Sequence, residues 1–223
     1  MSLRVTKPNQ VEIPDRTIGR LSLYRRLLAD LLEDGIPNIY SHQLANISGV
    51  TAAQVRRDMM TIGYSGTSRL GYDVKELIDS ISDLLDAQRL ENVVLVGVGN
   101  LGRAIISYFS GRRPNLSVTA AFDIDPDKTG RVSLGCRVYP LQELAQIVKE
   151  TDIKVAIITV PEAKAQEVAD VLVQAGVKGI LNFAPTRLRT PGDVYVENMD
   201  VTMSLERVAY FARQRESRRT RRL

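Results

Sequence analysis

The chain has 223 residues, 44% of them hydrophobic, enough for one large or two small folded domains. Its longest apolar runs, 93–98 and 155–160, are strand-length and too short to span a bilayer, and no signal peptide is read at the N-terminus. A single cysteine, Cys136, excludes an internal disulfide and suits a reducing, cytoplasmic setting.

Charge is distributed unevenly. Residues 1–75 carry 10 Lys/Arg against 7 Asp/Glu, residues 76–205 carry 13 against 17, and residues 206–223 carry 7 against 2. The ends, not the middle, are suited to a polyanion.

Residues 1–16, with Pro8 and Pro14, read as a flexible arm. From Thr17, TIGRLSLYRRLLADLLEDG places Leu21, Tyr24, Leu27, Leu28, Leu31 and Leu32 on one helical face. Thr17 is the expected N-cap, and Gly35 stands where a C-terminal glycine belongs. SHQLANISG follows as a short helix with Ser41 as cap and Gly49 at the turn. TAAQVRRDMMTIG is a third helix, in which Thr51 and Gln54 have capping-box spacing and Gly63 marks the end. Together these predict a helix-turn-helix over about Tyr24 to Gly63. YSGTSRLGY, bounded by Tyr64 and Tyr72, resembles a short β-hairpin wing, completing a winged helix domain over 17–75. DVKELIDSISDLLDAQRL, capped by Asp73 with Glu76 three residues on, predicts a linking helix reaching through 76–91.

A helix entering the major groove from its N-terminal end needs the mixture found here. Gln54 suits adenine, Arg56 and Arg57 suit guanine, and the short hydroxyls of Ser41 and Thr51 suit phosphates. Arg69 on the wing is placed for a phosphate or the adjacent minor groove. A small helical interaction domain with solvated arginines is the competing reading.

At Val93 the pattern changes. NVVLVGVG is continuously apolar, as in a parallel sheet covered on both faces. Helical text over 101–112 follows, then strand SVTAAFD and a strand–helix pair around 138–149. Strand KVAIITVP, a helix over 162–175 and strand KGILNFAP complete an alternation that predicts an α/β, Rossmann-type doubly wound parallel sheet over 92–200. TPGDVYVENMD reads as a loop. The last segment, 201–223, is a helix with Leu205, Val208, Ala209 and Ala212 running into the basic tail RQRESRRTRRL.

Gly97, Gly99 and Gly102 have G-x-G-x-x-G spacing between a strand and a helix, with Val98, Asn100 and Leu101 in the same loop. Such glycines permit a tight turn, close approach of backbone to pyrophosphate, and helix packing. Asp123, about 20 residues further on, suits the ribose hydroxyls and would repel a 2′-phosphate, favouring NAD over NADP. Asp125 is an alternative ribose contact, although it precedes Pro126 and reads as turn-forming; Ile124 and Lys128 share this segment. Thr159, Val160 and Pro161 in TVPEA, and Asn182, Ala184 and Pro185 in NFAP, end strands on the same side, where nucleotide contact and simple loop formation both account for them. The one histidine, His42, lies in the helical N-terminal region, and no Ser-His-Asp set or Cys/His metal cluster can be assembled. No catalytic residue and no metal site are assigned; Tyr108 alone is a conceivable acid or base, and reads more readily as core.

With both halves read, the segments SGVTAAQVRRD, GYDV, VGVGNLGRAI, AAFDIDPDK, ELAQIV, TVPEAKAQEVADVLVQAGVKGILNFAP and VENMD resemble the Rex family of redox-sensing transcriptional repressors, from Thr17 to Phe211. The resemblance implies a homodimer with N-terminal winged helices, NAD(H)-binding Rossmann domains and C-terminal helices exchanged between subunits. Such a protein holds a palindromic DNA operator when NAD⁺ prevails and leaves it when NADH binds. Carried over, the nucleotide loop is Gly97 to Gly102 and the ribose acid is Asp123. The resemblance makes Tyr108 a switch contact near the nicotinamide. It makes Asp200 in VENMD an acid that partners that tyrosine or an arginine of the first helix, best matched by Arg26. Two features depart from the family: Thr61-Ile62 replace an aromatic pair, and TSRLG replaces a more basic wing run. A Rossmann domain alone also allows an NAD-dependent dehydrogenase with a helical extension, or a CoA- or nucleotide-binding enzyme subunit.

Overall fold

The computed structural model describes residues 13–67, 69–86, 91–110 and 116–220, the side chains of 216–220 excepted. Most of the expected N-terminal arm, the end of the linking helix and the last three residues of the basic tail lie outside the described residues. The chain divides into two units, residues 1–88 and 89–223.

In the first unit, α1 (Asp15–Glu33) buries Leu21, Tyr24 and Leu28 at helical spacing. It starts earlier than the sequence suggests. The Pro14 carbonyl accepts from the amides of Thr17 and Ile18, so Pro14 is the cap and Thr17 is a buried first-turn residue. Gly35, at φ +75°, closes the far end as expected. A short strand, β1 (Asn38–Ile39), leads to α2 (Ser41–Ser48). Tyr40, not Ser41, holds the cap position: its backbone is extended and its N–H donates to Gln43 Oε1 at 2.8 Å. Ser41 is the first helical residue.

The third helix, α3 (Ala52–Thr61), is capped by Thr51, whose hydroxyl accepts from Gln54 N at 3.2 Å. The capping box is only half made, because the Gln54 side chain turns to Asp58 instead. The wing is smaller than a two-strand hairpin. Thr67 and Gly71 exchange backbone bonds of 2.8 Å across the turn, and β2 (Tyr72–Asp73) pairs antiparallel with β1. The fourth helix, α4 (Val74–Leu85), is capped by Asp73 as expected. Its apolar face is packed: Val74, Leu77 and Ile81 are buried in one cluster with Leu21, Leu28, Leu44 and Val55. Each such side chain contributes about 1.5–3 kcal/mol of burial, so α4 is part of this unit's core.

The second unit carries a seven-stranded sheet in the order β5-β6-β4-β3-β7-β8-β9. Its strands are β3 (Glu91–Val96), β4 (Leu116–Asp123), β5 (Val132–Ser133), β6 (Cys136–Pro140), β7 (Val155–Ile158), β8 (Gly179–Asn182) and β9 (Tyr195–Asn198). All neighbours pair in parallel except β5 with β6. Helices α5 (Asn100–Phe109), α6 (Leu144–Thr151) and α7 (Glu162–Ala175) connect them. The sheet separates two apolar layers. Val94, Val96, Phe122, Ile158 and Leu172 lie in one, and Val93, Leu95, Ile105, Ile106 and Val138 lie in the other. That is why residues 93–96 of β3 and all of β7 are apolar without alternation.

Two strands were not expected. The two-residue β5 is too short to give a pattern. The segment read as a loop contains β9, an edge strand paired with β8 from Gly179↔Tyr195 to Asn182↔Asn198. Its largely exposed YVEN lacks the apolar run of the inner strands. The last helix, α8 (Val201–Thr220), leaves Val201, Met203, Leu205, Val208, Tyr210 and Phe211 exposed.

Candidate functional site

β3 and β7 lie side by side, and the chain leaves them toward opposite halves of the sheet. This is the switch in strand order where open α/β sheets bind ligands. The glycine loop sits there. Gly97 has φ +100°, and a Cβ on it would come within 2.8 Å of the Thr159 carbonyl oxygen. A Cβ on Gly102 would collide with the Gly97 carbonyl oxygen. Thr159, after β7, donates its hydroxyl to that same Gly97 oxygen at 2.7 Å. Gly97 and Gly102 are therefore required by the loop's own packing.

Gly99 is not. A Cβ there would meet nothing within 4 Å, and its φ of −80° suits any residue. No side chain caps α5, which starts at this open position. A helix N-terminus beside such a space fits a pyrophosphate.

Asp123 ends β4, buried except for 8% of its surface. Its Oδ2 accepts from the Val98 amide at 2.7 Å and from Lys128 Nζ at 3.3 Å, while Oδ1 accepts from the Asp125 amide at 2.9 Å. The presumed ribose acid is thus also a strut of the glycine loop. Asp125 forms the turn, accepting from the Asp127 amide at 3.0 Å. That bond, with the ammonium of Lys128, holds its pKa below the usual carboxylate value. Ile124 is exposed beside them.

Asn182 corrects the sequence reading. It is fully buried; its Nδ2 donates to Thr186 O at 2.8 Å and Asn198 Oδ1 at 2.9 Å, and its Oδ1 accepts from Ala184 N at 3.0 Å. Its side chain clamps the loop after β8 to β9 and offers no surface to a ligand. Ala184 is also buried, so Pro185 is the exposed member of NFAP, while in TVPEA Pro161, Glu162 and Ala163 are exposed beside half-buried Thr159 and Val160.

In the first unit, α3 displays Arg56 and Arg57, both exposed. Arg56 donates to Ser41 Oγ at 3.2 Å and Arg57 donates to Gln54 Oε1 at 2.7 Å. Gln54 donates to Asp58 Oδ1 at 2.9 Å, so its amide is held between two neighbours. Asp58, 1% exposed, also takes Arg20 Nε and Nη2 at 2.7 Å each and the Tyr24 hydroxyl at 3.0 Å. Burial alone raises the Asp58 pKa, but the bonds from Arg20, Gln54 and Tyr24 outweigh it and hold the carboxyl below its ordinary value. Arg69 is exposed on the wing, its carbonyl accepting from the Tyr40 hydroxyl at 2.7 Å.

Two family descriptions match the chain: "Putative DNA-binding protein N-terminus" over residues 12–59 and "CoA binding domain" over residues 88–186. A redox-sensing transcriptional repressor Rex from Lactobacillus acidophilus is 42% identical over 91% of this chain and 96% of its own length. Its counterpart from Syntrophobacter fumaroxidans is 44% identical over 89% and 95%. The chain belongs to the Rex family. Among solved structures, the Rex-family repressor RSP superposes with a TM-score of 0.84 at 32% identity, covering 95% of this chain and 99% of its own. RSP bound to NAD⁺ and operator DNA gives the same score at 33% identity, over 93% and 96%. RSP with NADH also scores 0.84, at 32% identity over 95% and 99%.

Of the three residues expected to serve as switch contacts, Arg26 lies exposed on α1, in the first unit. Tyr108 and Asp200 lie in the second. Tyr108 is 57% exposed and packs edge-on against Phe109. It stands eight residues past the start of α5, about 12 Å along the axis from the glycine loop. Asp200 caps α8, its Oδ1 accepting from the Met203 amide at 2.9 Å. Among the described residues no helix is long and apolar enough to cross a membrane, and no three His, Cys, Asp or Glu side chains gather for a metal.

Proposed function

We propose that this Rex chain is a cytoplasmic, NADH-sensing transcriptional repressor that acts by binding and not by turnover. The observation that carries this reading is the pairing, in one chain, of an open glycine loop with a helix that presents two arginines. The amides of Gly97 to Gly102 and the start of α5 hold the pyrophosphate, and Asp123 holds the adenine ribose. Ile124, Lys128, Val160, Pro161 and Pro185 border the nucleotide. Bound NAD(H) supplies a nicotinamide whose charge and shape differ between its two oxidation states.

Two copies assemble through α8, whose exposed apolar residues have no cover within the described residues. In a two-fold dimer the recognition helices meet half-sites about one helical turn, ~34 Å, apart. Arg26, Tyr108 and Asp200 are the groups through which nucleotide state alters that spacing. A ~100-fold preference of NADH for the DNA-free arrangement corresponds to about 2.7 kcal/mol of coupling. Linkage requires operator DNA to weaken NADH binding by the same factor. A gel shift on palindromic operator DNA, titrated with NADH at fixed NAD⁺, tests this reading; equal operator affinity at saturating NADH and saturating NAD⁺ would overturn it.

A further inference from the structure

We propose that Asp58 is a positioning residue that aims Arg57 at a base, acting through the amide of Gln54. The inference rests on the DNA-binding reading above and assigns different work to the two arginines of α3.

An ionised carboxylate only accepts hydrogen bonds. Asp58 therefore forces Gln54 to turn its NH₂ inward, which leaves Oε1 facing out. That oxygen is the acceptor for Arg57 Nη2 at 2.7 Å. Had the amide been reversed, a donor would face a donor and the brace would fail. The orientation is secured from below, because Arg20 and Tyr24 hold Asp58 on both oxygens in a buried site. The chain Arg20–Asp58–Gln54–Arg57 thus runs from α1 to the exposed face of α3. The brace uses one face of the guanidinium fork, and the other N–H groups stay available for the paired acceptors of guanine.

Arg56 has no such brace. It donates to Ser41 Oγ, and both line a pocket of about 460 Å³ between α3 and the wing, with Tyr40, Met60, Tyr64 and Thr67. A cation there suits the sugar-phosphate strand that runs between major-groove helix and wing, which positions without specifying.

The test is selection from a duplex library with randomised half-sites, using the full chain with NAD⁺ and sequencing the bound fraction. Arg57→Ala should flatten base preference at one position per half-site by about tenfold or more. Asp58→Asn and Gln54→Leu should flatten that same position and cost nothing further in the Arg57→Ala background. Gln54→Leu leaves the buried Arg20–Asp58–Tyr24 cluster whole, so it decides the matter even where Asp58→Asn does not fold. Arg56→Ala should weaken all sequences alike and lower the salt dependence by about one phosphate contact. Retained preference in Gln54→Leu, or a loss at a different position from Arg57→Ala, overturns the proposal; so does an even loss at every position. A wild-type chain that enriches no sequence overturns the DNA-binding reading itself, and this inference with it.

Discussion

The two binding surfaces are made of different material. Around the glycine loop the groups in place are chiefly backbone, with the Asp123 carboxylate as the side-chain exception: the loop itself, the first amides of α5 and the Gly97 carbonyl that anchors Thr159. On α3, the proposed DNA-reading helix, they are side chains, linked to α1 through Asp58. A backbone site is injured by adding an atom, whereas a side-chain site is injured by deleting one. The second kind also depends on a core that lies outside the surface it serves.

This contrast can be broken at four points, in descending order of effect. Gly102→Ala should lower stability by about 3 kcal/mol, on the order of 10 °C in Tm, because its methyl meets a backbone oxygen that cannot move alone. Gly99→Ala, with open space around it, should keep stability within about 0.5 kcal/mol of wild type yet weaken NADH binding in a fluorescence titration; unchanged NADH affinity would dissociate this opening from the nucleotide. Next, Arg57→Ala should reduce operator affinity by about 1–3 kcal/mol while calorimetry finds NADH affinity intact, and Asp123→Ala should do the reverse. Parallel losses in both would mean that the surfaces are not separable. Third, Leu205→Glu on α8 should convert dimers to monomers in sedimentation without lowering the melting temperature of the isolated fold; a persistent dimer would place the interface elsewhere.

The smallest effect concerns acid. The folded pKa of Asp58 lies below its unfolded value near 3.9. Its contribution is therefore complete above that value and is lost as pH falls through the lower, folded one. Thermal stability followed by helical circular dichroism should hold as pH is lowered to about 3.9 and fall below it, as Asp58 protonates. Asp58→Asn should remove that acid-dependent step while lowering stability at neutral pH.

The sheet, its helices and the nucleotide loop were legible because their determinants are local. A strand apolar at every position, three spaced glycines and an acid at the next strand's end need no knowledge of distant residues. What escaped reading needed such knowledge. Asp58 falls at helical spacing between Val55 and Met59 on the apolar face of α3, and an acid there signals a buried partner, but Arg20 lies 38 positions away. Asn182 looked like a ligand contact because its neighbours end a strand at the crevice, whereas its role depends on β9, an edge strand with little pattern of its own. The caps at Thr17 and Ser41 were misplaced because Pro14 and Tyr40 set the helix starts with backbone groups. In α4 the apolar face was legible in the sequence, but not the α1 surface that it covers.

Asp123 holds the Val98 amide with one carboxylate oxygen while standing where a ribose acid belongs. If cofactor identity drifted toward a phosphorylated ribose, the replacement most expected at this position would also release the turn that cradles the pyrophosphate. Specificity and loop architecture are thus inherited together, and descent from one nucleotide to the other has to pass through a compensating change near Val98. With Asp123 as the proposed ribose acid, this contact disfavours a phosphorylated ribose through loop geometry as well as through charge.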